Sequence, residues 1–182
     1  MQAVDDIALV QRCLEGEQAA FEELIEKYQN IVFNVAFRMV QCREDAEDIV
    51  QSVFLSAYEN LPRFNSRYKF FSWIYRMTMN ESINLIHRRK PEVMIDDYHA
   101  TTGVTPESDC EVTEVRTVLE RAVAALTPEY RAVIILRHFE ELTYEEIAEA
   151  LKLPMKTVKS RIYSARQLLA QNVTLKAVMS HD

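Results

Sequence analysis

The chain has 182 residues, 48% of them apolar, which suits one ordinary domain or two small ones with a packed core. Only two glycines occur among many alanine, leucine, glutamate, glutamine and arginine residues, so the composition predicts a mostly helical protein. No apolar run approaches the ~20 residues that span a bilayer, and the N-terminus lacks a basic and then apolar signal. We therefore expect a cytoplasmic protein with no membrane insertion of its own.

The formal net charge of −7 is distributed unevenly along the chain. Residues 1–61 and 92–151 carry net charges of −8 and −10, whereas residues 62–91 and 152–182 carry +6 and +5. Basic segments within an acidic chain are the usual signature of a protein that binds a polyanion. Two solvated charged faces would give the same composition.

The cysteines and histidines have no spacing typical of a metal site. Cys13, Cys42 and Cys110 are far apart, and the four histidines form no HxxxH or similar pair. We expect structural thiols and neither a metal nor a cofactor. An enzyme such as a helical nuclease would need clustered carboxylates or a His/Asp constellation, and the sequence predicts no such catalytic site.

Residues 5–90 show helical periodicity with short breaks. The segment REDAEDIVQSVFLSAYENL has one apolar stripe, predicted to face the core, formed by Ala46, Ile49, Val50, Val53 and Ala57. The opposite face mixes acids with an exposed leucine, which suits docking to a protein better than binding to DNA; a plain solvated face is the alternative. This face contains Asp48, Gln51, Ser52, Leu55 and Glu59.

The first basic segment, LPRFNSRYKFFSWIYRMTMNESINLIHRRK, interleaves aromatic rings with cations. Such a mixture suits single-stranded nucleic acid, because bases stack on rings at about 1–3 kcal/mol each while cations follow the phosphates. Some rings must belong to the core, and Trp73 and Phe71 are the first candidates. The aromatic residues are Phe64, Tyr68, Phe70, Phe71, Trp73 and Tyr75, and the interleaved cations are Arg63, Arg67, Lys69 and Arg76.

The helix at the end of this segment has two kinds of face. Met79, Ile83 and Ile86 share a spacing that predicts an inward apolar face. Another face is polar, and its asparagine amides offer a donor and an acceptor together, which suits reading base edges. That face contains Asn80, Asn84 and His87, joined by Arg76 and Arg88.

Residues 91–112, PEVMIDDYHATTGVTPESDCEV, interrupt the helical pattern with prolines, a glycine and several acids. This composition predicts a flexible acidic linker. The sequence thus predicts an N-terminal helical domain over residues 1–90 and a smaller C-terminal helical domain over residues 113–182.

The C-terminal region contains two helix starts. Thr127 is expected to cap a helix that has Pro128 at its first position, and Thr143 with Glu146 forms the pattern of a capping box. After a short break at Lys152, another helix is predicted from about Met155. Its apolar stripe consists of Val158, Ile162, Ala165 and Leu169.

The opposite face of this last helix is basic and polar. Two helices joined by a tight turn, the second basic on its exposed face, describe a helix-turn-helix whose second helix fits the major groove. Lysine and serine can bond base edges, and flanking arginines can hold phosphates. An ordinary amphipathic helix with outward lysines is the alternative. The face consists of Lys156, Lys159, Ser160, Tyr163 and Gln167, with Arg161 and Arg166 on either side.

The stretch LTPEYRAVIILRHFEELTYEEIAEALKLPMKTVKSRIYSARQLL resembles the C-terminal domain of bacterial sigma factors of the extracytoplasmic-function (ECF) group. Upstream, ALVQRCLEGEQAAFEELIEKY, DAEDIVQSVFLSAY and FFSWIYRMTMN look like the sigma-2 domain of the same family. Together the two matches cover nearly all of residues 5–90 and 113–170. Family members often have glycine at the positions of Lys152 and Lys156 and arginine at that of Ser164, and Ser66, Arg67 and Tyr68 depart from the commoner loop pattern.

The resemblance implies an all-α fold with a sigma-2 domain, a linker and a helix-turn-helix sigma-4 domain. It implies a factor, not an enzyme, that directs RNA polymerase core to promoter DNA and is controlled by an anti-sigma factor. A stand-alone helix-turn-helix regulator of duplex operators is the alternative.

By the same resemblance, polymerase would dock on Asp48, Gln51, Ser52 and Leu55. Melting and recognition of the −10 element would involve Phe64, Asn65, Ser66, Arg67, Tyr68, Lys69, Arg76, Asn80, Asn84, His87 and Arg88. The −35 element would be read by Lys156, Thr157, Lys159, Ser160, Arg161, Tyr163, Ser164 and Arg166.

Overall fold

The computed structural model describes residues 5–89 and 119–179, with side chains up to residue 171, and all regular structure in these ranges is helical. The prediction of an all-α fold is confirmed. The predicted linker at 91–112, including Cys110, lies outside the described residues. The elements are α1 (Asp6–Leu14), α2 (Gln18–Val40), α3 (Arg43–Asn60), a 3-10 turn (Leu61–Arg63), α4 (Phe70–Arg89), α5 (residues 119–124), α6 (Pro128–His138), α7 (Tyr144–Leu151) and α8 (Met155–Met179).

Helix α2 is the centre of the N-terminal half, with α1, α3 and α4 packed around it. Its residues Leu24 and Val32 are fully buried together with Val53 of α3 and Ile74 of α4. The apolar stripe predicted on α3 is confirmed, since Ala46, Ile49, Val53 and Ala57 are buried and Val50 is partly buried. This packing leaves the opposite face of α3 in solvent.

The aromatic residues of the first basic segment divide between core and surface. Phe70 and Tyr75 are the buried rings. Phe71 and Trp73, which were the first candidates for the core, are half-buried and pack against its edge. The reason is that Phe70 lies at the start of α4 and points into the N-terminal core, where its ring centroid is 5.4 Å from that of Tyr28.

In the C-terminal half, α7 and α8 form the predicted helix-turn-helix, and α6 packs along α8. Val158, Ile162 and Ala165 are buried, which confirms the apolar stripe of α8. Lys152 ends α7 in the left-handed region at φ 52°, a conformation that costs a residue other than glycine about 1–2 kcal/mol. The turn therefore forms with lysine where glycine would be unstrained.

Helix α4 also packs against the C-terminal half. Tyr75 and Met79 are buried in one cluster with Val35 and Met39 of α2 and with apolar residues of α6, α7 and α8. The predicted inward face of α4 continues this contact, because Ile83 and Ile86 pack against the same cluster. The two halves thus share a hydrophobic core.

Arg131 of α6 connects the two halves at the backbone. Its guanidinium donates to the Met39 carbonyl near the end of α2, to the Ala124 carbonyl at the end of α5 and to the Leu126 carbonyl just after α5. Carbonyls in the last turn of a helix have no partner within the helix, so a buried guanidinium can satisfy several of them at once. Arg131 is only 8% exposed, so these bonds are made away from bulk water.

The helix starts at Thr127 and Thr143 differ in their hydrogen bonds. Thr143 forms the predicted capping box, since its hydroxyl accepts from the Glu146 amide at 3.2 Å and its own amide donates to the Glu146 carboxylate at 3.0 Å. Thr127 occupies the N-cap position of α6 as predicted, with Pro128 following, but its side chain makes no capping hydrogen bond.

These two threonines provide a matched test of helix capping. We expect Thr143→Ala to lower the free energy of unfolding by about 0.5–2 kcal/mol, because the Glu146 amide loses its acceptor. Thr127→Ala should change it by less than about 0.5 kcal/mol. Chemical denaturation of both variants measures the difference, and equal losses would show that the Thr143 bond contributes nothing.

Candidate nucleic-acid interface

The face of α8 opposite its buried stripe is open to solvent. Lys156, Lys159, Ser160, Tyr163 and Arg166 are all exposed, and 65% of Tyr163 is accessible. The other predicted residues of this surface, Thr157, Arg161 and Ser164, are half-buried along its edges. The helix thus offers cations, a hydroxyl and a phenol on one side, which is the chemistry needed to contact base edges and phosphates in a groove.

Neighbouring helices hold two cations of this face. Arg166 lies against His138 at the end of α6, with its Nη2 atom 3.2 Å from the His138 Nε2 atom. Burial, followed by the charges of Arg166 and Arg137, lowers the pKa of His138, so the ring is neutral at pH 7 and can accept from the guanidinium. Lys159 lies 5.8 Å from the ring centroid of Tyr144 on α7.

The loop between the 3-10 turn and α4 has one half-buried residue followed by exposed ones. Phe64 packs its ring against Phe70 and Trp73, at centroid distances of 5.7 and 5.2 Å. Asn65 then makes a local turn, in which its side-chain oxygen accepts from the Arg67 amide at 3.0 Å. Phe64 is therefore an anchor of the loop. The exposed residues are Asn65, Ser66, Arg67, Tyr68 and Lys69.

The polar face of α4 is exposed along most of its predicted length. Asn80, Asn84, His87 and Arg88 are exposed, and the last three line a shallow groove. The Arg88 guanidinium donates to the backbone carbonyl of Asn84, one turn earlier on the same helix, at 3.3 Å. Arg76 differs from the other members of the predicted set because it is half-buried, and its Nε atom is buried.

The face of α3 predicted to dock a protein is exposed. Asp48, Gln51, Ser52 and Leu55 all reach solvent, and Leu55 is 62% exposed. Tyr58, one turn after Leu55, is 50% exposed, and its ring centroid lies 5.0 Å from that of Phe21 in a T-shaped pair. Tyr58 was not among the predicted residues of this face, although its helical spacing from Leu55 places it there.

Acids of the C-terminal half contact the predicted DNA surface of the N-terminal half. The Lys69 ammonium lies 2.8 Å from the Glu146 carboxylate, and the His87 Nε2 atom lies 3.7 Å from that of Glu129. Tyr75, a buried core residue outside that surface, also bonds across the two halves, since its hydroxyl donates to Glu140 at 2.8 Å. No local sequence pattern predicts these contacts, because each joins residues that are distant along the chain.

These contacts shift the protonation of their partners. The hydrogen bond from Lys69, followed by that with the Thr143 backbone, lowers the pKa of Glu146, and the same carboxylate raises the pKa of Lys69. Burial, followed by the charge of Glu140, raises the pKa of Tyr75. Near neutral pH the Glu146–Lys69 pair is therefore charged, and Tyr75 is a protonated donor.

The described residues contain no group of three or more His, Cys, Asp or Glu side chains that could hold a metal ion. Within the same ranges, no helix has the length and hydropathy required to cross a membrane. The two cysteines in these ranges, Cys13 and Cys42, are unpaired and half-buried. Burial raises the pKa of Cys13, which makes its thiol less reactive at pH 7.

Two family models match the chain, Sigma-70 region 2 over residues 24–92 and Sigma-70, region 4 over residues 116–169. The ECF RNA polymerase sigma factor SigW of Bacillus subtilis is 31% identical, covering 90% of this chain and 94% of the relative. The ECF RNA polymerase sigma-E factor of Escherichia coli K12 is 32% identical, covering 94% of this chain and 96% of the relative.

Solved structures have the same fold. That of CnrH in complex with the cytosolic domain of CnrY has a TM-score of 0.72 and 23% identity, covering 94% of this chain and 97% of that one. That of the sigma factor RpoE with the anti-sigma factor NepR, from Bartonella quintana, has a TM-score of 0.64 and 20% identity, covering 85% and 96%. Family models match both halves of the chain, and the relatives match it over nearly their whole length. The chain therefore belongs to the ECF sigma factors of the sigma-70 family.

Proposed function

We propose that this chain directs bacterial RNA polymerase core to promoters and helps to open them, working in the cytoplasm without chemistry of its own. The observation that carries this proposal is that one chain has two exposed faces suited to different forms of DNA. The α8 face offers side chains that suit the major groove of a duplex, and the α4 face with its preceding loop offers amides and an exposed tyrosine that suit separated bases.

The energetics favour this division of work. Breaking each base-pair step costs about 1.4 kcal/mol in stacking, and one stacked base on an aromatic ring returns about 1–3 kcal/mol. Tyr68, 49% exposed, is the ring of the loop best placed to accept a base. Binding of the −35 element by Lys159, Ser160 and their neighbours would fix the register, and the loop with α4 would then hold the opened −10 strand.

The remaining assignments concern protein partners. The exposed leucine and the polar residues of α3 suit a docking site for polymerase core, which would bring both DNA surfaces to the promoter. An anti-sigma factor is the expected inhibitor, as for the structurally similar RpoE, which was solved with NepR. The linker at residues 91–112 is proposed to connect the domains 1–90 and 113–182.

The first test is reconstitution with polymerase core. Binding-site selection with the reconstituted holoenzyme should yield a −35/−10 promoter, and transcription from it should require both the core and this chain. Asn80→Ala should reduce promoter opening, measured by permanganate footprinting, while binding of the chain to core is unchanged. Asn30→Ala changes an exposed asparagine on α2 and should leave opening intact. Tight operator binding by the chain alone, without a core requirement, would instead support a stand-alone regulator.

A second test concerns the α8 face. Lys159→Ala or Ser160→Ala should weaken recognition of the −35 element by about 1–3 kcal/mol, the usual worth of a good base contact. The measurement is the ratio of holoenzyme affinities for the selected promoter and for variants changed in the −35 element. An unaltered ratio would remove these two residues from the recognition surface.

A third test concerns the α3 face. Gln51→Ala combined with Leu55→Ala should weaken competition with other sigma factors for core, because the face loses its exposed apolar contact. Leu14→Ala is the matched control, since Leu14 is 52% exposed at the end of α1 and lies outside the α3 face. Normal competition by the α3 double variant would show that core docks elsewhere.

A further inference from the structure

We propose that His138, the last residue of α6, is a positioning residue for promoter binding, which holds the Arg166 side chain in the orientation that meets a phosphate of the −35 duplex. This inference rests on the proposed function, because it takes the exposed face of α8 as the duplex surface. It adds to that surface a residue outside the helix-turn-helix, since α6 precedes both α7 and α8.

The contact joins two side chains that are 28 positions apart in the chain. The Arg166 Nη2 atom lies 3.2 Å from the His138 Nε2 atom, and the Arg166 Nε atom lies 3.4 Å from the same ring nitrogen. These two nitrogens lie on one edge of the planar guanidinium, so an acceptor between them restricts rotation of the group. Packing of α6 along α8 keeps the two side chains opposite each other.

The neutral state of His138 makes it a useful partner for a cation that must also bind phosphate. Burial, followed by the charges of Arg166 and Arg137, lowers the pKa of His138, and with Nε2 as the acceptor the ring proton lies on Nδ1. A carboxylate in the same place would offset the charge of Arg166 and repel a phosphate. The imidazole instead orders the arginine and leaves its positive charge available to DNA.

The place of Arg166 along α8 suits a phosphate better than a base. Arg166 follows Lys159 by about two helical turns, so both lie on one side of α8, roughly 10 Å apart along its axis. In a helix-turn-helix the N-terminal part of the second helix meets the bases, and the major groove is only about 12 Å wide. With Lys159 over the bases, Arg166 comes to the edge of the groove, where the phosphates lie.

Ordering the arginine before binding is the contribution of His138. A guanidinium carries five N–H donors, so after both bonds to the ring Arg166 still has donors for phosphate oxygens. Immobilising a rotamer-rich side chain at an interface weakens affinity by about two- to tenfold. A side chain already held in the bound orientation avoids part of that loss. Both residues are exposed, so a phosphate can reach the guanidinium where it lies.

The test is a double-mutant cycle in the reconstituted holoenzyme, at about pH 8 so that the ring stays neutral. His138→Leu removes the acceptor, and His138→Gln retains one; each is made alone and together with Arg166→Ala. Arg43→Ala is the charge control, because it removes an exposed arginine on α3. The measurement is affinity for the selected promoter at several salt concentrations, and for variants changed in the −35 element.

We expect His138→Leu to weaken promoter affinity by about two- to tenfold, and His138→Gln to retain most of it. In the Arg166→Ala background, His138→Leu should cause no further loss. Arg166→Ala should lower the slope of log affinity against log salt by about 0.9, which corresponds to one phosphate contact, and weaken all −35 variants equally. Arg43→Ala should leave both the affinity and the slope unchanged.

Several results would overturn the inference. An undiminished loss on His138→Leu in the Arg166→Ala background would show that His138 acts through the stability of α6. Equal losses in the leucine and glutamine variants, or none in either, would remove its role as an acceptor for Arg166. A changed −35 preference in Arg166→Ala would place Arg166 on a base. Transcription by the wild-type holoenzyme tests the proposed function separately, because it does not depend on these substitutions.

Discussion

Helix α4 lies between two hydrophobic cores because its side chains are apolar on two faces. Phe70 and Ile74 pack with α1, α2 and α3, whereas Tyr75 and Met79 pack with α6, α7 and α8. Full burial of one large apolar side chain is worth about 1.5–3 kcal/mol, so separating the two halves would cost several such contributions. Because these two faces are buried, only the remaining polar side of α4 stays in contact with solvent.

Polar contacts give this apolar interface a specific geometry. The guanidinium of Arg131 joins the ends of α2 and α5, where backbone carbonyls need partners. The Glu146 carboxylate completes the capping box of α7 and binds Lys69 with its second oxygen. A single side chain thus stabilises its own helix and connects it to the other half, so local helix formation and the arrangement of the two halves depend on the same residue.

The two candidate DNA surfaces stand in different electrostatic surroundings. On α8, Arg166 lies against the His138 ring and Lys159 lies near the Tyr144 ring. Lys69 and His87 instead have carboxylates within 4 Å. Although the whole chain has a net charge of −7, the acids that contact a predicted DNA surface are individual glutamates beside the first basic segment. Rearrangement of the halves would change the α4 surface far more than the α8 surface.

Local sequence patterns predict the helices, the capping box at Thr143, the buried stripes of α3 and α8 and the exposure of their opposite faces. These features depend on neighbours within about two helical turns, where periodicity is informative. The sequence also indicates the family, through motifs in both halves. The burial of Tyr75, the reduced exposure of Arg76 and the anchoring of Phe64 depend instead on packing between helices. So do the pairs of Lys69 with Glu146 and Tyr75 with Glu140, because packing brings together residues 77 and 65 positions apart, and no local pattern encodes such contacts.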